Sequence, residues 1–136
     1  MGSVTAYDVP MNVLVCGSRD WEDRALLDST LDALLAKLGP FEVIEGEAKG
    51  ADTMAREWAE RKRLPVQKFP ADWAKLGKAA GPVRNVQMLA EGKPDLVVAF
   101  QTPGGSKGTS HMVAIARHRN VDVRVVTATG MVMAGG

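Results

Sequence analysis

Short apolar runs alternate with longer amphipathic segments along most of the chain. Each run is too short for a helix and is bounded by glycine, proline or charged residues, which is typical of a strand buried on both faces of a parallel sheet. The runs lie at residues 11–16, 41–44, 65–69, 95–100 and 121–126. Strands that alternate with helices pair in parallel through right-handed crossovers. The pattern therefore predicts an α/β protein with a doubly wound parallel sheet of about five strands and helices on both faces.

Capping and turn residues predict where the helices begin and end. Asp20 is expected to cap the first helix and Gly39 to end it. The other helices are expected after the turn at residues 45–52, from residue 81, and over residues 110–119. Residues 71–80 show no clear periodicity, so no element is predicted there. The apolar side chains of the third helix are expected to pack inward: Val83, Val86, Met88, Leu89 and Ala90.

Length, charge and cysteine usage narrow the class of protein. A chain of 136 residues fits one domain, with a lead-in at 1–10, the domain at 11–126 and a flexible tail at 127–136. The net charge of +1 does not favour nonspecific binding to duplex nucleic acid. The single cysteine, Cys16, is expected to pack in its strand and fits a reducing compartment. No apolar run reaches membrane-spanning length and no secretory start is evident, so we expect a cytoplasmic protein that does not enter a membrane.

Glycine-bearing turns follow three of the predicted strands. They lie at residues 17–21, 45–52 and 103–109, and parallel strands bring their carboxyl ends to one edge of the sheet, where ligands bind. Glycines allow backbone N–H groups to approach a ligand closely, and a helix N-terminus favours anions. The sequence therefore predicts a site for a phosphate-bearing ligand. Neither the P-loop spacing nor a Gly-x-Gly-x-x-Gly run is present, so the inference depends on all three turns together.

The candidate ligand-binding residues come from these turns and from the start of the third helix. They are Gly17, Ser18, Arg19, Lys49, Gly50, Asp52, Arg84, Asn85, Gly104, Gly105, Lys107, Gly108 and Thr109. The glycines and Thr109 are expected to hold phosphate, and the arginines to grip it with two donors each. Asp52 either caps its helix, which is the more common role, or binds a ribose hydroxyl.

Other chemically versatile side chains have ordinary structural interpretations. Glu45 and Glu47 are expected to be solvated charges, although one of them acting on a sugar is the alternative. Trp73 either packs in the core, as tryptophans more often do, or stacks on a base. His111 and His118 have no carboxylate or cysteine partner at metal-binding spacing, so no metal site is predicted.

The order of these motifs resembles the SLOG superfamily, which joins DprA-like, LOG-like and YpsA-like proteins, and within it the small YspA-type branch. The resemblance extends over about residues 11 to 126 and is carried by the segments 17–21, 46–52, 69–73, 77–85 and 103–109. It implies a Rossmann-like fold that binds a nucleotide or nucleotide-derived ligand at this edge of the sheet. No cofactor is predicted. The sequence leaves the oligomeric state open, and a homodimer is compatible with the resemblance because LOG-like relatives are commonly dimers.

Two departures from the family pattern bear on the chemistry. LOG-type phosphoribohydrolases follow a Pro-Gly-Gly-x-Gly-Thr loop with acidic residues that include a catalytic glutamate. In this chain the loop is one residue longer and is followed by Ser110, His111 and Met112. In addition, Glu47 stands where the YspA-type branch is expected to have glycine.

Three functions fit these residues. The first is binding of a nucleotide-like small molecule, as a sensor or sequestering module. The second is cleavage of the bond between base and ribose in a nucleoside monophosphate, with Glu47 or Asp52 stabilising positive charge on the sugar. The third is single-stranded nucleic-acid binding, as in DprA-like relatives, which needs a basic groove with stacking aromatic side chains. The cations available for it are Arg61, Lys62, Arg63, Lys75 and Lys78.

Overall fold

The structure, a computed structural model, describes residues 11–127 and the backbone of residues 132–134. The predicted lead-in at 1–10 and most of the predicted tail lie outside the described residues. In chain order the elements are β1 (Met11–Gly17), α1 (Arg24–Leu38), β2 (Phe41–Glu45), α2 (Ala51–Arg61), β3 (Val66–Lys68), α3 (Trp73–Leu76), α4 (Ala80–Gly92), β4 (Leu96–Gln101), α5 (Lys107–His118), β5 (Asp122–Thr127) and β6 (Val132–Ala134). None of the described helices has both the length and the apolar character needed to span a membrane.

The strands form one sheet in the order β3-β2-β1-β4-β5-β6. The first five pair in parallel, which confirms the predicted doubly wound sheet. The sixth strand was not predicted and pairs antiparallel to β5. Its pairing gives hydrogen-bond partners to the backbone groups along the outer edge of β5, which an edge strand otherwise leaves unpaired.

Side chains of the central strand alternate between two apolar layers. Val13 and Val15 pack with residues of α1 and α2, whereas Leu14 and Cys16 pack with residues of α4 and α5. This alternation is what the two-residue period of a strand requires when both faces are covered. Helices therefore lie on both faces of the sheet, as predicted, and the carboxyl end of β1 emerges between the two layers.

The structure corrects the predicted starts of two helices. Asp23, not Asp20, caps α1, because its carboxylate accepts a hydrogen bond from the amide of Leu26 at 2.9 Å. Asp20 instead accepts a hydrogen bond from the Thr102 hydroxyl at 3.1 Å and so ties the loop after β1 to the end of β4. The last helix begins before the predicted residue 110, because Ser106 caps it.

Residues 71–80, where no element was predicted, contain α3 and a 3₁₀ turn that leads into α4. Asp72 caps α3 by accepting a hydrogen bond from the amide of Lys75 at 3.1 Å. In α4, Met88 and Leu89 are buried as predicted. The prediction was wrong for three residues that share the outer face of the helix and are exposed: Val83, Val86 and Ala90.

Candidate ligand-binding cleft

A cleft of about 640 Å³ opens at the carboxyl end of β1, which is within the size range of small-molecule sites. Its walls come from the loop after β1, the start of α2, the segment from α3 into α4, and the first turns of α5. Most of the predicted ligand-binding residues line it: Gly17, Arg19, Asp52, Arg84, Asn85, Lys107, Gly108 and Thr109. The fold therefore brings together the four segments that the sequence singled out.

The other predicted residues shape the turns and lie outside the lining. The buried hydroxyl of Ser18 accepts a hydrogen bond from the amide of Thr102 at 3.1 Å. Gly50 has a φ of 78°, and a Cβ there would lie 2.5 Å from the carbonyl oxygen of Ser18. Gly105 has a φ of 68° in the turn before α5. Two more are turn residues with exposed positions, Lys49 and Gly104. Their contact with a ligand stays a prediction.

The N-terminus of α5 faces the cleft. Ser106 caps the helix, since its hydroxyl accepts a hydrogen bond from the amide of Thr109 at 3.2 Å. Lys107 and Gly108 are the first two helical residues, so their amide groups have no carbonyl partner within the helix. Free amides and the positive end of the helix dipole therefore meet at one wall, where negative charge is favoured.

Arg84, Asn85 and His111 form a hydrogen-bonded chain along the wall between α4 and α5. Nε of Arg84 donates to Oδ1 of Asn85 at 3.0 Å, and Nδ2 of Asn85 donates to the carbonyl oxygen of Gly108 at 3.1 Å. Arginine only donates and a carbonyl only accepts, so these two partners fix the orientation of the amide. The 3.1 Å contact between Nδ2 and Nδ1 of His111 is then one in which histidine accepts. Neutral His111 consequently carries its proton on Nε2.

Asp52 is a buried carboxylate in the cleft wall. It does not cap α2, whose N-cap is Gly50. Instead its Oδ2 accepts hydrogen bonds from the amides of Gly46 at 3.0 Å and Ala48 at 3.3 Å, which hold the turn after β2. Burial raises the pKa of Asp52 to about 6, while the positive charge of Arg84 and the two amides act in the opposite direction. This carboxyl group therefore changes charge close to neutral pH.

Glu45, at the end of β2, is fully buried, so the expectation of a solvated side chain was wrong. Its Oε1 accepts a hydrogen bond from the amide of Glu47 at 2.6 Å, whereas its Oε2 has no hydrogen-bond partner among the described residues. Burial raises the pKa of Glu45 to about 7, and the amide of Glu47 acts against that shift. An ionised carboxylate in this position lowers the stability of the fold.

Glu47 is exposed, as expected, and lies outside the lining of the cleft. Its backbone has a φ of 57°, a conformation that favours glycine. Its Oε1 lies 4.0 Å from Nη1 of Arg56. The family pattern leads us to expect glycine here, and the left-handed backbone gives the physical reason for that preference.

Trp73 is not a core residue, because 47% of its surface is exposed beside the cleft. The guanidinium carbon of Arg19 lies 5.2 Å from the centre of its ring, within the range of a cation–π contact. Arg19 follows β1 and Trp73 begins α3, so the contact joins two walls of the cleft. This arrangement could not be recognised from residues 71–80 alone, because their pattern gave no helix.

Cys16 lies at the floor of the cleft, where burial raises the pKa of its thiol well above the usual range. The side chain is therefore a packed, uncharged group, in agreement with the prediction. Within residues 11–127 no cluster of three or more histidine, cysteine, aspartate or glutamate side chains is arranged to hold a metal ion.

Several lining residues were not assigned to the site from the sequence. His111 follows Lys107 by one helical turn, so it lies on the same side of α5. The four-residue spacing could have predicted that His111 lies in the site. It does so only if the helix begins at residue 107, and the predicted helix began at residue 110. Lys78 comes from the segment that showed no periodicity, and the sequence offered it only as a cation for a nucleic-acid groove. The others are Cys16, Asp20, Ala48, Gly81, Pro82, Met88 and Ser106.

A six-stranded, mostly parallel sheet with helices on both faces defines a Rossmann-like α/β protein. Residues 11–76 match the family described as YspA, cpYpsA-related SLOG family. The chain is also similar to the Gene 61 protein of Mycobacterium phage D29, with 36% identity over 117 residues that cover 82% of this chain and 92% of the phage protein. The chain belongs to the YspA, cpYpsA-related SLOG family. Membership supports a nucleotide-related ligand-binding role in general.

Proposed function

We propose that the protein binds a nucleotide or nucleotide-derived ligand in this cleft and serves as a sensor or sequestering module. The observation that carries the proposal is the meeting of the α5 N-terminus with Arg19 and Arg84 in one cleft. Free amides, the helix dipole and guanidinium groups all stabilise a phosphate, and together they give it both charge and directional hydrogen bonds. Family membership supports a nucleotide-related ligand.

In this proposal Asp52 recognises the ribose. Both of its amide contacts use Oδ2, so Oδ1 is the oxygen left for a sugar hydroxyl. Asp52→Asn keeps an acceptor for the two amides but loses the charge that strengthens the sugar contact. We expect this variant to bind ribose 5-phosphate several-fold more weakly than the wild type and to bind inorganic phosphate at least as well, by calorimetry.

The phosphate site is tested by replacing Lys107, the first residue of α5. Lys107→Ala removes the charge but keeps the backbone amide, whereas Lys107→Pro removes both. Proline is tolerated at this position, because it suits the first helical turn and the preceding Ser106 has an extended backbone with φ −148° and ψ 147°. We expect the proline variant to bind ribose 5-phosphate about tenfold more weakly than the alanine variant, since a hydrogen bond to a charged group contributes roughly 1.5–3 kcal/mol.

The exposed Lys93 at the end of α4 is a control, because it lies away from the lining. Lys93→Ala removes the same charge and should leave binding unchanged. Equal affinity of the Lys107→Pro and Lys107→Ala variants would show that the α5 amide does not hold the ligand. A wild type that binds neither phosphate, ribose 5-phosphate nor any nucleoside monophosphate would overturn the proposed function itself.

A second candidate function is cleavage of a nucleoside monophosphate between base and ribose. The observation in its favour is the buried Asp52 carboxylate in the cleft, a group able to stabilise positive charge on a sugar. The LOG-type glutamate after the loop is absent, which weighs against that family's mechanism. Release of free base that disappears with Asp52→Asn but persists with Glu47→Gln supports the enzyme, because Glu47 lies outside the lining. Binding without release supports the sensor.

A further inference from the structure

We propose that Trp73 is the stacking platform for the aromatic base of the ligand, so that the cleft recognises a nucleoside phosphate rather than a sugar phosphate alone. This inference rests on the proposed function, because it assigns the base end of the same ligand. It identifies Trp73 as a residue that determines specificity. Arg19, Arg84 and the N-terminus of α5 supply the phosphate end described above, and Asp52 supplies the sugar end.

The exposure of Trp73 is the first observation. The other two tryptophans, Trp21 and Trp58, are 2% and 1% exposed, whereas Trp73 is 47% exposed. A large apolar ring left in water costs free energy that burial would recover. Trp73 nevertheless begins a short helix that Asp72 caps, so its backbone is held with the ring beside the cleft.

The second observation is that a flat group already lies over this ring. The guanidinium of Arg19 approaches from the loop after β1 at 5.2 Å from the ring centre. Guanidinium and nucleobase are both planar and both stack on tryptophan. A base that enters from the cleft would take the place of the guanidinium on this face of the ring. Arg19 is itself exposed, so its side chain is free to move toward the phosphate or onto the outer face of a base.

The third observation is a contact with α4 at the edge of the ring. Gly81, near the start of α4, approaches the outer edge of the indole so closely that a Cβ there would lie 3.3 Å from Cη2 of Trp73. A glycine at this point lets the ring rest against the helix. The indole is therefore in contact with α4 along one edge, which restricts its side chain and reduces the conformational entropy that stacking would otherwise cost.

Stacking of a base on an aromatic side chain contributes roughly 1–3 kcal/mol, which corresponds to about 5-fold to 150-fold in affinity. Calorimetric titrations should compare ribose 5-phosphate with the monophosphates of adenosine, guanosine, cytidine and uridine. We expect the wild type to bind the best of the four about tenfold or more tightly than ribose 5-phosphate. Trp73→Ala should lower the affinity for that monophosphate to nearly the affinity for ribose 5-phosphate. Its affinity for ribose 5-phosphate should equal that of the wild type.

Two further variants separate stacking from folding effects. Trp73→Phe keeps an aromatic face and should retain most of the preference. Leu76→Ala truncates another exposed apolar side chain of the same helix, outside the lining, and should behave like the wild type. Fluorescence gives an independent readout, because Trp73 is the exposed tryptophan among the three. The monophosphate should protect its emission from acrylamide quenching, whereas ribose 5-phosphate should not.

The possible failures are distinguishable. If the wild type binds ribose 5-phosphate and all four monophosphates equally, or if Trp73→Ala keeps the preference, the platform is wrong and the phosphate site stands. If Trp73→Ala weakens ribose 5-phosphate and monophosphate by the same factor, Trp73 shapes the cleft and does not bind the base. If the wild type binds none of these probes, the proposed function fails and this inference fails with it.

Discussion

Glu45 is a carboxyl group that the fold buries completely, with one oxygen left without a hydrogen-bond partner among the described residues. Burial raises its pKa from 4.5 to about 7. Well below pH 4.5 the group is protonated in both the folded and the unfolded chain, so its charge contributes no cost to folding. Between pH 4.5 and 7 the folded chain binds more protons, so its stability falls as the pH rises. Above pH 7 the full cost remains, on the order of 3 kcal/mol.

The Glu45→Gln variant has no titrating group at this position. We expect the difference in free energy of unfolding, variant minus wild type, to rise by about 2–3 kcal/mol from pH 4.5 to pH 7.5. Urea denaturation at a series of pH values measures it. Glu42→Gln, on the same strand but only partly buried, serves as the control and should show a much smaller change. A difference that is flat across this range would contradict the inferred burial of the charge.

Glu47 has a backbone conformation that costs a residue with a side chain about 1 kcal/mol. Two variants separate the backbone effect from the loss of the carboxylate. Glu47→Ala removes the charge and keeps the strain, whereas Glu47→Gly removes both. We expect the free energy of unfolding of the glycine variant to be about 1 kcal/mol higher than that of the alanine variant. Urea denaturation measures both values. A glycine variant that is less stable than the alanine variant would contradict a left-handed backbone at this residue.

At the scale of elements, the end of β1 must lie very close to both β4 and α2. A Cβ on Gly17 would lie 2.4 Å from the carbonyl oxygen of Phe100 and 2.6 Å from Cβ of Ala51. Gly17→Ala therefore forces the strands and the helix apart, and we expect it to lower the free energy of unfolding by about 2 kcal/mol or more. Gly104→Ala, where a Cβ would meet no atom within 4 Å, should change stability by less than about 0.5 kcal/mol.

Thermal and urea unfolding of both variants provide the measurement. A Gly17→Ala protein as stable as Gly104→Ala would mean that β1 and α2 are not in close contact. This pair also separates two uses of glycine that look alike in sequence. Gly17 is required by close packing, whereas Gly104 belongs to an exposed turn and has open space around it.

For the molecule as a whole, the distribution of charge bears on whether the partner is a small ligand or a nucleic-acid strand. Ion pairs join α1 to α2: Arg24 with Glu57, Arg61 with Asp28, and Lys62 with Asp32. Two of the cations considered for a basic groove are thus paired with carboxylates on the α1 and α2 side of the sheet. The net charge of +1 adds no general attraction for phosphate backbones.

We therefore expect no salt-sensitive affinity for single-stranded oligonucleotides in a filter-binding assay at about 50 mM salt. The net charge of +1 gives little attraction for a phosphate backbone, and Arg61 and Lys62 are held in ion pairs. A nucleoside monophosphate in the same buffer should raise the melting temperature, since a ligand at 100 times its dissociation constant stabilises by about 2.7 kcal/mol. Oligonucleotide binding that weakens steeply with salt would contradict this expectation and favour the DprA-like alternative. The homodimer stays a prediction that sedimentation of the same sample can test.

The pattern of apolar runs and glycines was sufficient to predict the sheet, its parallel pairing and the edge at which the glycine turns meet. Apolar runs such as residues 96–100 must be buried wherever they occur, and glycines mark the sharp turns that follow them. Helix starts were harder to predict, because Asp20 and Asp23 are equally good caps by type. Asp23 is the cap because the carboxylate of Asp20 accepts a hydrogen bond from Thr102, which lies far along the chain.

Which polar groups are buried, and what they contact, could be learned from the folded chain alone. Glu45 lies under the turn after β2, Asn85 bonds a histidine on another helix, and Trp73 faces Arg19 across the cleft. The two contacts join different elements, and the burial of Glu45 depends on the turn that packs over it. Local residue patterns report backbone preference and amphipathic faces, because those arise between near neighbours. Local patterns carry no information about which side chains from distant parts of the chain come into contact. The chemistry of the cleft depends on those contacts.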